Sequence, residues 1–202
     1  MKRTFVVLAV VTALSFAGVL ILVGSFFWSA YFEAQRADYG WNPRVATRTH
    51  ESSHPIVLFD EGHHNASTVG FEGRYWPFGK LLRADGYDVR RVKKEFTRES
   101  LRDARVLVIA NAAGGGTPVA FGINLPLPGG DEGRRGDPAF TPAEIEAVRS
   151  WVEEGGSLLL IADHAPFGAA AAAMGAAFGV RMHGGFMEVP GENSDPLLFS
   201  RE

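Results

Sequence analysis

The sequence predicts a three-layer α/β domain with a mainly parallel sheet, preceded by one N-terminal transmembrane helix. Runs dominated by apolar residues at 56–59, 106–110 and 157–161 alternate along the chain with segments of helical periodicity. Such short continuous runs are typical of strands that are buried on both faces, as in parallel sheets. Strands that alternate with helices form sheets with right-handed crossovers, so helices are expected on both faces.

Residues 1–32 are predicted to form a membrane anchor. The uncharged run 4–32 exceeds the roughly 20 apolar residues that cross a bilayer. It is longer than the apolar core of a cleavable signal, about 7 to 15 residues, and Trp28 stands where cleavage requires a small residue. A retained anchor is therefore predicted, with a cleaved signal or a buried core helix as alternatives. Because Lys2 and Arg3 precede the run, we expect a single-pass protein of the cell membrane with its domain outside the cytoplasm.

The segment 33–54 is predicted to be a linker, because it has no sustained period and contains Gly40 and Pro43 among mixed charges. The α/β domain is expected to occupy 55–202. Its first half is predicted to run in the order strand 56–59, helix 75–84, strand 88–92, helix 97–104 and strand 106–110. Gly86 is a natural stop for the first helix. The β-branched residues of 106–110 favour a buried strand.

The second half begins with an irregular insertion at 112–140, which contains four prolines and several glycines. A segment of this length without periodicity is usually a functional lid or a disordered insertion, and we expect a flexible flap over the site. Thr141, Pro142 and Glu144 then form a capping box that starts a helix. Strand 157–161, an alanine-rich helix at 168–178 and the start of a fifth strand at 180–182 are expected to follow.

Composition excludes several classes of function. A net charge of -3 and a pI near 6.1 give no electrostatic basis for binding nucleic acid. The absence of cysteine excludes disulfides, thiolate metal sites and a cysteine nucleophile.

Polar residues follow three of the predicted strands, and in open α/β sheets ligands bind beyond the carboxyl ends of the strands. Asp60, Glu61, His63, His64 and Asn65 follow the first strand, Asn111, Gly114 and Gly115 follow the third, and Asp163 and His164 follow the fourth. We expect these residues to form the site. The candidate catalytic residues are His63, His64, Asp163 and His164, and the other six are candidate ligand-binding residues.

Three interpretations of this cluster remain open. A histidine with a carboxylate can act as a general base with its orienting group. Imidazole and carboxylate groups can also hold a divalent metal, although their spacing matches no standard zinc signature. Alternatively, polar residues at strand ends hold loops together, and aspartates such as Asp60 and Asp163 often accept loop N–H groups.

The order of these motifs resembles the class I glutamine amidotransferase-like superfamily, which has a flavodoxin-like fold. The similar features are the polar run 60–65 after a strand, the Gly-Gly-Gly loop 114–116, the helix start 140–144 and the segment 154–164. The chain is most similar to the membrane-anchored bacterial branch that is related to trehalose-utilisation (ThuA-like) proteins. The resemblance covers residues 55–180.

In glutaminases of this superfamily, a nucleophilic cysteine follows the fourth strand and a glycine-rich loop follows the third. The corresponding positions here are 162–165 and 111–116. Because the chain has no cysteine, the resemblance implies the fold without glutamine hydrolysis by that mechanism. The histidine and glutamate that relatives carry late in the domain have no matching pair here, so a shortened version of the domain is expected.

The leading functional hypothesis is a non-amidotransferase domain that binds a small polar ligand, such as a carbohydrate, or a protein partner. The second is a hydrolase in which His63 or His64, with Asp163 and His164, activates water with or without a metal. The third is a shortened copy without activity. No cofactor is firmly implied, and the membrane is the expected partner of residues 4–32.

Overall fold

The structure is a computed structural model. It describes residues 37–65, 67–70, 73–115, 136–163 and 165–185, together with the short pieces 15–16, 18–21, 24, 119–120 and 123–124. Most of the predicted anchor, the whole of 186–202 and much of the insertion lie outside these residues. Within the part of the chain that the structure describes, no helix has the length and apolar character needed to cross a bilayer.

The centre of the domain is a parallel sheet of four strands in the order β2-β1-β3-β6, which confirms the predicted α/β class. The strands among the described residues are β1 (Ile56–Asp60), β2 (Asp88–Val92), β3 (Ala104–Ala110), β4 (Val119–Ala120), β5 (Ile123–Asn124) and β6 (Ser157–Ile161). β4 and β5 form a separate antiparallel pair inside the predicted insertion. Asp60, expected in a loop, is the last residue of β1 and pairs with Val92.

Within residues 37–185, as far as the structure describes them, five short helices connect or cover these strands: α1 (Trp76–Ala84), α2 (Arg98–Leu101), α3 (Pro142–Glu153), α4 (Phe167–Ala170) and α5 (Ala172–Ala177). The predicted capping box at the start of α3 is present, with reciprocal bonds between Thr141 and Glu144. α2 is shorter than expected, because the chain enters β3 at Ala104. The alanine-rich segment is divided into α4 and α5 at Ala171.

The fifth strand expected at 180–182 is not formed, and the end of α5 explains why. Gly179 has a φ of +75°, its N–H donates to the carbonyl of Ala176, and the Val180 N–H donates to the carbonyl of Gly175. This pair of bonds is a Schellman motif, which satisfies the last carbonyls of the helix. Val180 is therefore used as part of a helix cap.

The sheet separates two apolar clusters, as the alternation of side chains along a strand requires. Val57 and Phe59 of β1 contact one cluster, which includes Phe78 and Leu82 of α1. Leu58 points to the other face. The cluster on that side includes Leu107, Ile109, Val148, Trp151 and Met174. Because Asp60 lies two residues after Leu58, its side chain points toward the face that α3 covers.

Candidate functional site

The end of β1 is organised by the carboxyl group of Asp60, whose side chain has no exposed surface. Its Oδ1 accepts a hydrogen bond from the Gly62 N–H at 3.0 Å, and its Oδ2 accepts one from Asn65 Nδ2, also at 3.0 Å. An aspartate that accepts the N–H two residues ahead forces a turn. Asp60 therefore holds the loop after β1, as the structural interpretation of the sequence predicted.

His63 joins this turn to the start of α3. Its Nδ1 lies 2.8 Å from Oδ1 of Asp60, and its Nε2 lies 2.8 Å from Oε1 of Glu144. A carboxylate oxygen is an acceptor, so each ring nitrogen serves as a donor, and an imidazole that donates from both nitrogens is the protonated cation. We infer that His63 is a cation held between two carboxyl groups.

Two phenylalanine rings enclose the His63 imidazole. The centroids of Phe96 and Phe140 each lie 4.8 Å from the centroid of the histidine ring. Only a tenth of the His63 side chain is exposed, and 4% of Glu144. The aromatic walls keep water from the two ion pairs, which strengthens the attraction between the charges.

The pKa of His63 is raised above its ordinary value by these neighbours. Burial alone lowers the pKa, because it penalises the charged form, but the hydrogen bonds and negative charges of Asp60 and then Glu144 outweigh that penalty. The pKa of Glu144 is lowered. Its burial acts to raise the pKa, but hydrogen bonds from Thr141, His63 and the Phe96 N–H together favour the ionised form.

Glu144 has a second role that the sequence did not indicate. Its Oε2 completes the capping box with Thr141, at 2.9 Å from both the backbone nitrogen and Oγ1. Its Oε1 accepts from His63 and, at 3.1 Å, from the Phe96 N–H. Since the capping box explains a glutamate at this position fully, nothing in the sequence pointed to a further partner.

The occupied ring nitrogens limit the chemistry of His63. A metal ligand or a general base needs a nitrogen lone pair, and in this arrangement both nitrogens carry protons. The catalytic role of His63 stays a prediction, and this geometry favours a structural role. Among the described residues, no group of three or more His, Asp or Glu side chains is arranged to hold a metal ion. A divalent metal likewise stays a prediction.

His64 lies in a different environment, although it is the next residue. Its side chain is exposed, and its φ of +48° is in the left-handed region. Asn111, at the end of β3, is buried and has a φ of +51°. Residues other than glycine in this region cost about 1 to 3 kcal/mol each and are concentrated at functional sites. His64 and Asn111 are two such residues, and they follow the two central strands, β1 and β3.

The side chain of Asn111 connects the loops that follow β1 and β6. Its Oδ1 accepts a hydrogen bond from the Asp163 N–H at 3.0 Å, and its Nδ2 donates to Ser67 Oγ at 3.4 Å. A second link joins the loops after β1 and β3, since the Ala113 N–H donates to the carbonyl of His63 at 3.0 Å. The three loops predicted to carry the site therefore meet, and we call this meeting point the Asn111 junction.

Asp163 and Tyr75 lie beside this junction. Asp163 is exposed, and its charge reaches Tyr75, which is half-buried in front of α1. Burial, and then the negative charge of Asp163, raise the pKa of the Tyr75 hydroxyl. Ser67 and Tyr75 were not among the predicted site residues. The predicted residue His164 lies outside the described residues.

The remaining predicted site residues have structural surroundings. Asn65 is buried and donates to Asp60 and, at 3.2 Å, to the carbonyl of Ala110. Oε1 of Glu61 accepts the Val69 and Gly70 N–H groups at 3.1 and 3.3 Å. These contacts hold the loop after β1 and leave Glu61 largely covered.

Gly114 lies at a close approach between the two ends of the insertion, and Gly115 beside it is buried. A Cβ atom at Gly114 would lie 2.0 Å from the carbonyl oxygen of Asp137, so only glycine fits there. The glycine-rich loop is therefore fixed against Asp137 at the edge of the Asn111 junction.

Comparison of the chain with family models, with curated proteins and with solved structures finds no match. The resemblance to the glutamine amidotransferase-like superfamily therefore rests on the sequence motifs alone.

Proposed function

We propose that this protein binds a small polar molecule at the Asn111 junction, without amidotransferase chemistry. The observation that carries the proposal is the single carboxamide of Asn111, in a left-handed backbone, on which three loops converge. Strain of this kind persists only where surrounding contacts enforce it, and it is typical of ligand sites. The exposed His64 and Asp163 provide polar groups at the same edge of the sheet.

The topology of the sheet supports the same location. In doubly wound sheets, ligands bind where the chain leaves neighbouring strands in opposite directions, beyond their carboxyl ends. In the order β2-β1-β3-β6, that reversal lies between β1 and β3. Ser67 and Asn111 follow these two strands, and their side chains are 3.4 Å apart.

We further propose that the domain is of the glutamine amidotransferase-like type and is anchored in the cell membrane, with the binding domain outside the cytoplasm. The strand order is compatible with a flavodoxin-like sheet, and the motifs at 60–65, 114–116 and 154–164 support the family. The uncharged run 4–32 behind Lys2 and Arg3 supports the anchor. A protein partner is the other ligand compatible with this edge.

A hydrolase is the second candidate, and the exposure of both His64 and Asp163 favours it. Because His63 has no free ring nitrogen in this arrangement, the base would be His64 or His164. Hydrolysis of a small ester that is lost in His64→Ala or His164→Ala, with unchanged circular dichroism, would replace binding by catalysis as the function.

The binding proposal is tested with Asn111→Gly in the full chain. Glycine adopts the same φ without strain, so the backbone is kept while the carboxamide is removed. Amide NMR spectra are recorded with a panel of sugars, amino acids and nucleosides, and Asn42→Ala, at an exposed asparagine outside the site, is the control. We expect at least one compound to shift amides in 61–65 and 111–115, and Asn111→Gly to abolish the shift. Binding that is unchanged in Asn111→Gly would contradict the proposal.

A further inference from the structure

Arg74 is a half-buried arginine in the loop between β1 and α1. Its Nε is buried and has no hydrogen-bond partner. In the part of the chain that the structure describes, no carboxylate forms an ion pair with Arg74. Among the described residues, this partly buried guanidinium therefore has no ion-pairing carboxylate.

Such a group is costly unless something else pairs with it. A buried donor without a partner carries the desolvation penalty of that group, which is larger when the group is charged. Native proteins contain few such groups, and one that is retained requires an explanation such as an absent ion or ligand. The planar fork of a guanidinium matches the two oxygens of a carboxylate or a phosphate.

The backbone around Arg74 is held firmly, so the guanidinium is carried on a defined scaffold. The Gly73 N–H donates to the carbonyl of Gly70 at 2.9 Å, and the Tyr75 N–H donates to the carbonyl of Thr68 at 2.9 Å. A Cβ atom at Gly73 would lie 2.2 Å from the same Thr68 oxygen, which shows how closely the two sides of the loop approach. Arg74 lies between these two fixed residues.

Residues on both sides of Arg74 connect this loop to the proposed site. The pKa of Tyr75, the next residue, is raised by burial and then by the negative charge of Asp163, which follows β6. Ser67, one residue before Thr68, contacts Asn111. The loop segment that carries Arg74 is therefore attached on one side to the Asn111 junction and on the other to the start of α1.

Two cations from outside this loop, Arg91 and Lys93, bring positive charge to it. Glu61 is the carboxylate that contacts it, and its Oε2 is already shared between Arg91 at 3.6 Å and Lys93 at 4.0 Å. The Arg91 guanidinium also lies against Gly70, where a Cβ atom would be 2.9 Å from it. Among these described side chains, Arg91 and Lys93 share the Glu61 carboxylate, whereas Arg74 has no acidic partner.

We propose that Arg74 binds an anionic group, a carboxylate or a phosphate, of the small molecule that occupies the Asn111 junction. This inference rests on the proposed function and names the chemical class of its ligand. The acidic group would accept hydrogen bonds from the guanidinium, while the polar remainder contacts the loops after β1, β3 and β6.

The test is an NMR titration of the full chain with acetate, with inorganic phosphate and with glucose, at constant ionic strength. The observed signals are the Arg74 Nε–H and the backbone amides of Ser67, Asn111 and Asp163. Arg74→Gln removes the charge with little change in size. Arg102→Gln is the matched control, since Arg102 is 69% exposed and lies next to the opposite, amino end of β3.

We expect acetate or phosphate to shift all four signals saturably, with binding about tenfold weaker or more in Arg74→Gln and unchanged in Arg102→Gln. A response to acetate alone or to phosphate alone identifies which acid the site accepts. Equal anion binding in wild type and Arg74→Gln, or no response to either anion, overturns the inference. If glucose alone shifts the Ser67 and Asn111 amides, the proposed site is supported while the anionic ligand is overturned.

Discussion

His63 and His64 are adjacent in the chain, yet their surroundings differ in every respect that matters for function. His63 is buried, and each of its ring nitrogens lies 2.8 Å from a carboxylate oxygen. His64 is exposed on a left-handed backbone. The pair resembles a two-histidine motif in the sequence, but one residue connects the loop to α3 while the other faces solvent. Adjacent positions in the sequence therefore do not place the two side chains in one environment, because the turn directs them to different places.

The largest expected effect comes from removing the buried imidazole. His63→Ala leaves two carboxyl groups facing each other without a cation, and breaking a buried ion pair in this way costs about 3 to 5 kcal/mol. We expect the free energy of unfolding, measured by urea denaturation of the full chain, to fall by that amount. His64→Ala is the control and should stay within about 1 kcal/mol of wild type. Equal losses in both variants would remove the distinction between the two residues.

Glu144→Gln should have a smaller effect, because the amide keeps the shape and one acceptor oxygen. It loses the charge that pairs with His63, and its NH₂ group must face either His63 and Phe96 or Thr141. We expect a loss of about 2 kcal/mol in the free energy of unfolding. Glu146→Gln, on the exposed side of α3, is the matched control and should leave the free energy of unfolding close to that of wild type.

The pH dependence of stability should carry the signature of His63. Its pKa is higher in the folded state than the ordinary 6.5, so its contribution is complete below pH 6.5 and is lost as the pH rises through the folded pKa. Glu144 acts in the opposite direction: its pKa is below the ordinary 4.5, so its contribution is present above pH 4.5 and is lost as the pH falls through the folded pKa.

Urea unfolding from mildly acidic to alkaline pH checks this expectation. Wild type should lose stability above neutral pH relative to His63→Gln, which cannot titrate at this position. His64→Ala should follow the wild-type curve. A flat difference between wild type and His63→Gln over this range would mean that His63 is not a buried cation.

The smallest effect is expected at His64. Glycine relieves the strain of a φ of +48°, but it also costs folding entropy, so His64→Gly should stabilise the protein by about 1 kcal/mol at most. His64→Ala keeps the strain and should not stabilise. The two variants, compared by thermal denaturation, separate backbone strain from loss of the imidazole. Destabilisation by His64→Gly would show that the side chain makes structural contacts.

The fold was predictable where local signals agreed with the tertiary structure. Continuous apolar runs identified β1, β3 and β6, and the Thr141 capping box identified the start of α3. The prediction of a fifth strand at 180–182 was wrong. Val180 is β-branched, which favours a strand, but after Gly179 its N–H donates to the Gly175 carbonyl and caps the end of α5. A glycine after an alanine-rich helix was the available signal.

The site was predictable only as a location. Residues at the ends of parallel strands had to lie at one edge of the sheet, and the loops after β1, β3 and β6 do meet at Asn111. The pairing of His63 with Glu144 spans 81 residues and depends on how α3 lies on the sheet, which no local pattern encodes. The role proposed for Arg74 could not be predicted from the sequence either, because only the folded structure shows whether a charged side chain has a partner.

The protonation state of His63 is the most direct measurement of the difference between the two histidines. The ¹⁵N chemical shifts of the ring nitrogens are recorded in the full chain at neutral pH with labelled histidine, and His63→Gln assigns the signals. We predict that both His63 nitrogens carry protons, with two N–H signals at hydrogen-bonded shifts. An unprotonated His63 nitrogen at neutral pH would contradict this prediction, since a free lone pair would restore His63 as a candidate base or metal ligand.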